Sequence, residues 1–159
     1  MIQKATQSMA DEILYVINES NQACYQAIIP KACFSSPYLS RQELLAQFDT
    51  MTFYAAHGDD GITGVVALQV LPKNMGHVSH LYVLPEHHRK GIGTILMNHV
   101  HREATQHGLT RLRLRVGEKA VWATSFYRAL GYACCERCIC PEGVVLVMEK
   151  VVLPHSLEA

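Results

Sequence analysis

Apolar residues recur along the chain in two periods, and the switching between them predicts a mixed α/β order. Ile13, Leu14 and Ile17, with Met9 a turn earlier, fall on one helical face, and Thr6 or Ser8 stands ahead of them as N-cap. Residues 2–5 read as a short strand before that helix. Ser40 precedes Glu43 by three residues and then Leu44, Leu45 and Phe48, the pattern of a capping box opening a second helix. Between Asn21 and Pro37 the signals are mixed.

From Thr52 the period changes to that of strands. Phe53 to Ala56 and Val65 to Leu71 are joined by His57-Gly58-Asp59-Asp60-Gly61, a hairpin turn, and Pro72 and Gly76 bracket another turn before Val78 to Leu84. Three consecutive antiparallel strands are therefore expected. Helical spacing returns at Ile92, Ile95, Leu96, Val100 and Ala104, closed by Gly108. Leu112, Leu114 and Val116 then alternate with Arg111, Arg113 and Arg115, as in a strand. A shorter helix from about Val121 to Leu130 stops at Gly131, and Tyr132 to Ile139 and Val144 to Val152 flank Pro141-Glu142-Gly143 as a last hairpin.

A length of 159 residues fits one domain, taken as 1–153 with a polar tail at 154–159. With 49% hydrophobic and 18% charged residues the chain can bury enough apolar surface to order itself. Fourteen Lys+Arg against fourteen Asp+Glu leave no net charge, which argues against a nucleic-acid partner or an anionic membrane surface; any anion must be bound locally. No apolar run approaches the ~18 residues that span a bilayer, and Met1 to Thr6 lacks the apolar core of an export signal. A cytoplasmic location is expected, with the six cysteines present as thiols.

Chemistry concentrates in the stretch from Leu81 to Met97, where a strand ending at Pro85 is followed by Glu86-His87-His88-Arg89-Lys90-Gly91-Ile92-Gly93-Thr94 and a helix start. The first turn of a helix carries backbone N–H groups without intrahelical partners, and its dipole favours negative charge. Gly91 and Gly93 let a phosphate approach that backbone, Thr94 adds a hydroxyl, and Arg89 and Lys90 add positive charge. The spacing is neither that of a nucleoside-triphosphate P-loop nor that of a dinucleotide-binding loop. Taken alone, two glycines before a helix are equally compatible with close packing.

His88-Arg89-Lys90-Gly91-Ile92-Gly93 resembles the Q/R-x-x-G-x-G/A signature of the GNAT superfamily of acyl-CoA-dependent N-acetyltransferases, with His88 standing where Gln or Arg is usual. About thirty residues on, Ala123-Thr124-Ser125-Phe126-Tyr127-Arg128-Ala129-Leu130-Gly131-Tyr132 is similar to that family's A-x-x-F-Y-x-x-x-G-F/Y segment, although Ala120 replaces the Asn often found three residues earlier. The resemblance spans about residues 2–152 and implies an α/β fold of the α+β type, a mixed sheet of about seven strands flanked by about four helices.

The resemblance also implies a reaction: the acetyl group of acetyl-CoA moves to a primary amine of a small molecule or peptide by direct attack in a ternary complex. The coenzyme would lie in a gap between the fourth and fifth strands, held by Leu81, Tyr82 and Val83 on the strand edge and by His88, Arg89, Lys90, Gly91, Ile92, Gly93 and Thr94 in the loop. Tyr127 would donate to the departing thiolate. Because an amine of pKa ~10.4 is protonated at neutral pH, a base or water must take its proton. His77 and His80 are the candidates on the fourth strand, and period-two alternation places them on opposite faces. A non-catalytic acyl-CoA-binding module is the alternative function. Dimers are common in the family, and the sequence leaves the oligomeric state open.

Cys134, Cys135, Cys138 and Cys140 include a C-x-x-C, but a structural zinc site wants four ligands gathered by a turn, and thiols along one strand alternate between faces. They are expected to be small buried residues and no metal is expected. Arg111, Arg113 and Arg115 are expected to form a solvated or salt-bridged strand face.

Overall fold

The computed structural model describes residues 1–33 and 36–152, so the tail at 154–159 lies outside the described residues. In chain order the elements are β1 (Ile2–Lys4), α1 (Ala10–Tyr25), α2 (Arg41–Gln47), β2 (Thr52–Gly58), β3 (Gly61–Leu71), β4 (Met75–Val83), α3 (Ile92–Gln106), β5 (Arg111–Gly117), α4 (Val121–Ala129), β6 (Ala133–Cys140) and β7 (Gly143–Val151). The strands form one sheet in the order β1-β2-β3-β4-β5-β7-β6, antiparallel except for the β4–β5 pair. Among the described residues, seven strands and four helices are the architecture the sequence resemblance implied.

Local chemistry explains most boundaries. The Glu43 N–H donates to Ser40 Oγ at 3.1 Å and the Ser40 N–H donates to Glu43 Oε1 at 3.0 Å, the reciprocal cap expected for α2. The expected cap on α1 is absent. Thr6 and Ser8 hydrogen-bond each other at 2.7 Å, and a single 3₁₀ turn over Gln7–Met9 leads into the helix.

Two apolar layers cover the sheet. On one face α3 and α4 pack Leu96, Met97, Val100 and Ala123 over Val66, Leu68, Val78, Leu112, Leu114 and Met148. On the other, α1 and α2 bring Ile13, Val16, Ile17 and Leu44 against Phe53, Ala55, Val65 and Ala67. Consecutive burial of Val65 to Leu68 follows from cover on both faces. Beyond α1 that second face is thinly covered, and there the arginines of β5 emerge, Arg111 and Arg113 both 2.9 Å from Glu149. The cysteines correct the sequence expectation: Cys134 and Cys135 are exposed and Cys138 and Cys140 half-buried. As the outermost strand, β6 pairs only with β7.

One irregularity shapes the centre of the sheet. Val65 pairs with Tyr82 but Ala67 with Ser79, so Val66 faces two residues, and the extra one, His80, has a positive φ of 54°. The bulge puts Ser79 and His80 on the same face. Ser79 Oγ lies 3.7 Å from Met51 Sδ, and the His80 ring stacks on Phe53 at 5.7 Å. His77, two positions before Ser79 and paired with Gln69, faces the same way. The expectation that His77 and His80 occupy opposite faces is therefore wrong, because period-two counting fails across a bulge.

A bulge also bends its strand. The β4–β5 ladder stops after Met75–Arg111, Gly76–Leu112 and His77–Arg113, while β4 continues to Val83 and β5 to Gly117. Past that point the two strands part. The short ladder requires glycine at this position: a Cβ on Gly76 would come within 2.6 Å of Leu112 Cδ2 and 2.9 Å of Leu109 Cδ1, both on buried side chains. We expect Gly76→Ala to destabilise the fold by about 1–3 kcal/mol through overpacking; urea unfolding of the two proteins measures it.

Candidate functional site

Where β4 and β5 separate, a cavity of about 430 Å³ opens, walled by β4, the loop into α3, α4 and the C-terminal end of α1. The loop supplies its polar end. Arg89 and Gly91 both hold positive φ, 65° and 77°, in alternation with ordinary backbone, an arrangement that turns successive N–H groups inward. Among the described residues the N–H groups of Arg89, Lys90, Gly91, Ile92, Gly93 and Thr94 have no acceptor; the first helical bond here is the Ile95 N–H to the Gly91 carbonyl at 3.1 Å. An anion at this helix start would meet a run of donors with the helix dipole behind them.

His88 has a role that its departure from the usual residue type does not suggest. Its Nε2–H donates to the Val83 carbonyl at 2.8 Å, and Ser20 Oγ donates to the same oxygen at 3.1 Å. Loop, strand end and α1 are thus tied at one atom. Main-chain direction alternates along a strand, and the Leu84 N–H donates to the Thr63 carbonyl, so Tyr82 also spends its main chain on β3. Leu81 and Val83 turn theirs to the open edge. Of the three strand residues singled out from the sequence, Tyr82 contributes its side chain instead.

The α4 wall presents Trp122, Ala123, Phe126 and Tyr127, and the α1 wall presents Ser20, Cys24 and Tyr25. Tyr127 packs edge-on against Phe126 and Tyr132, with centroids at 5.3 and 5.9 Å, and its hydroxyl has no protein partner among the described residues. Burial, reinforced by neighbouring Tyr25, holds its phenol well above the ordinary value, so it keeps its proton at neutral pH. Tyr25 meets Trp122 at 5.7 Å and Tyr82 at 6.4 Å, closing the gap from the α1 side.

The cavity therefore gathers Leu81, Tyr82, Val83, His88, Arg89, Gly91, Ile92, Gly93, Thr94 and Tyr127 in one place. Lys90 turns away, its ammonium donating to His87 Nδ1 at 3.2 Å beside a different hollow near His57. His77 and His80 line neither this cavity nor the one beside it. His80 is buried against Phe53 with Nε2 2.7 Å from Gln47 Oε1, and burial with nearby His77 depresses its pKa to about 4. Ser20, Cys24, Tyr25 and Trp122 went unnoticed in the sequence. A signal existed for α1: Ile13, Ile17, Asn21 and Tyr25 are four apart, so the helical face continues, but its apolar character lapses at Asn21.

Next to this cavity lies a second, of about 230 Å³, between the end of α1, Tyr38, the end of β5 and the β6–β7 turn. Tyr25 and Tyr82 border both.

Residues 15–152 match the family model described as the acetyltransferase (GNAT) domain, and the chain belongs to that family. Among curated relatives, the N-acetyltransferase YsnE of Bacillus subtilis is 31% identical over 88 residues, 54% of this chain and 58% of that protein. Streptothricin acetyltransferase of Streptomyces lavendulae is 33% identical over 88 residues, 55% of this chain and 47% of that protein. The chain thus spans about half the length of the curated relatives it matches. Solved structures match over nearly all of it. The PaiA N-acetyltransferase of Thermoplasma acidophilum, crystallised with coenzyme A, superposes with a TM-score of 0.80 at 23% identity, covering 95% of this chain and 98% of that one. The ribosomal-protein-S18-alanine N-acetyltransferase of Escherichia coli gives 0.78 at 15% identity, covering 96% and 94%. These structural likenesses establish the fold.

The His80 environment generates a pH dependence. Because the folded state favours the neutral ring, its contribution is fully present above the ordinary value of 6.5 and is lost as pH falls toward 4. That contribution is about 3 kcal/mol at most. Unfolding free energy from urea titrations should decline between pH 6.5 and 4, and His80→Gln should make the decline shallower.

Proposed function

We propose that the chain is an acetyl-CoA-dependent N-acetyltransferase in which a primary amine attacks the thioester directly, both substrates being bound together. The observation that carries this reading is the run of unpartnered N–H groups from Arg89 to Thr94 at one end of a cavity that leads to Tyr127. The residues fit the coenzyme. Their donors suit a pyrophosphate, Arg89 adds charge, and the open edge of β4 offers the main chain of Leu81 and the N–H of Val83 to an extended amide-bearing arm.

A main-chain N–H directed at the thioester oxygen would stabilise the charge that builds there as the amine adds. As the new C–N bond forms and the C–S bond breaks, the Tyr127 hydroxyl donates to the departing sulfur, which leaves as a thiol. The bound ammonium gives one proton to water before it attacks; the second, lost as the C–N bond forms, also passes to water and replaces the one Tyr127 donated, so one proton is released per turnover. His80, weakly basic and bonded to Gln47, is poorly placed to accept that proton, and His77 lies further from the gap. Solvent in the open cavity is the acceptor in this reading.

Release of free thiol from acetyl-CoA, followed across a panel of amines, tests the proposal; calorimetry showing no coenzyme binding would overturn it. Tyr127→Phe should lower kcat by about 100-fold while changing the KM for acetyl-CoA by no more than about twofold. An unchanged kcat would remove Tyr127 from the chemistry. A methyl at Gly93 would meet only Phe126, at an ordinary 3.5 Å, so the protein itself accommodates it. Gly93→Ala is therefore expected to keep or raise the melting temperature yet weaken coenzyme A binding by about tenfold or more, since the methyl intrudes on the anion's approach.

A further inference from the structure

The smaller cavity contains an unanswered polar group. Asn21 is only 4% exposed and borders this space; its Nδ2 donates to the Tyr82 hydroxyl at 2.9 Å, while its Oδ1 has no partner among the described residues. Tyr38 packs against Tyr82, with ring centroids 6.3 Å apart. The carboxamide thus turns its nitrogen to Tyr82 and leaves its oxygen unpaired. Buried carbonyl oxygens are almost always satisfied, and one left over beside a cavity calls for a donor from a ligand. Asn21 is linked to Tyr82, which divides this cavity from the larger one.

The outer part of the cavity carries charge of one predominant sign. Arg115 and Lys119 contribute two cations and Glu142 one carboxylate. Arg111 and Arg113 share the one carboxylate of Glu149, while Arg115 and Lys119 have no ion pair among the described residues. Guanidinium and ammonium groups at the edge of a partly desolvated pocket favour a carboxylate. The volume of about 230 Å³ suits a small ligand.

We propose that this cavity receives an amine of amino-acid size that also bears a carboxylate, its nitrogen donating to Asn21 Oδ1 and its carboxylate accepting from Arg115 and Lys119. The inference rests on the larger cavity being the coenzyme site, because only then does an amine beside Tyr82 face a thioester. It narrows the acceptor class and disfavours diamines, whose second cation would meet Arg115 and Lys119.

Calorimetry on protein saturated with coenzyme A tests it, using free glycine, leucine, phenylalanine, glutamate and lysine, each beside its own α-carboxamide, together with 1,4-diaminobutane. At least one free acid should bind about tenfold or more tightly than its amide, and Arg115→Ala should reduce that preference to about twofold or less. Arg115→Lys should restore part of it. Asn21→Leu should weaken acid and amide alike with coenzyme binding unchanged, the unchanged coenzyme affinity showing that the variant is folded. The proposal is overturned if the amides or the diamine bind as tightly as the acids, or if no acid binds to protein that does bind coenzyme A. Failure to bind coenzyme A at all would instead remove the reading on which the proposal rests.

Discussion

One extra residue in β4 governs what this molecule can hold. A strand that stayed in register would keep its ladder to β5 and leave no gap, because parallel neighbours in regular pairing sit under 5 Å apart. The bulge at His80 bends β4 away after only three paired residues, and the main-chain groups of Leu81 and Val83 are left without a β5 partner. Burying such groups unsatisfied would be destabilising. They are tolerable because the gap is open and because the Val83 carbonyl has been claimed by Ser20 and His88. The fold thus keeps an interrupted sheet at its centre, packed between the two apolar layers.

Three of the positive φ values fall where this interruption needs them. His80 turns the strand, Arg89 and Gly91 turn the loop, and in between the chain runs past the open edge. Non-glycine residues in the left-handed region are uncommon and held at some energetic cost. In His80 the stacking on Phe53 and the bond to Gln47 offset that cost, which gives this histidine a structural occupation.

How legible was this in the sequence? Features set by near neighbours in the chain read well: the Ser40–Glu43 cap, the apolar face of α3, the strand alternation of β5, and the glycine loop with its following helix. The bulge did not, since it depends on which residue of β3 each residue of β4 faces. The same limit hid the exposure of the β6 thiols, because a strand's place at the sheet edge is a matter of topology. It hid the smaller cavity most completely. Tyr25, Tyr38, Tyr82, Arg115 and Glu142 come from separate elements and carry no spacing pattern, so only folding brings them together. For the larger cavity, the stretch from Leu81 to Met97 and the segment from Ala123 to Tyr132 named most of the lining, and the residues they missed came from α1 and from Trp122.

Trp122 has a consequence beyond its packing. It is the chain's single tryptophan, it is half-exposed, and it rests on Tyr25 at the border of the gap. Indole is an amphipathic ring with one polar handle, and its surroundings change whenever water beside it is exchanged for another molecule. Nature has left an optical gauge at the entrance: the emission colour of the unlabelled protein reports on one position alone, so filling of the interstrand space can be followed by fluorescence with no probe attached and no competing indole signal.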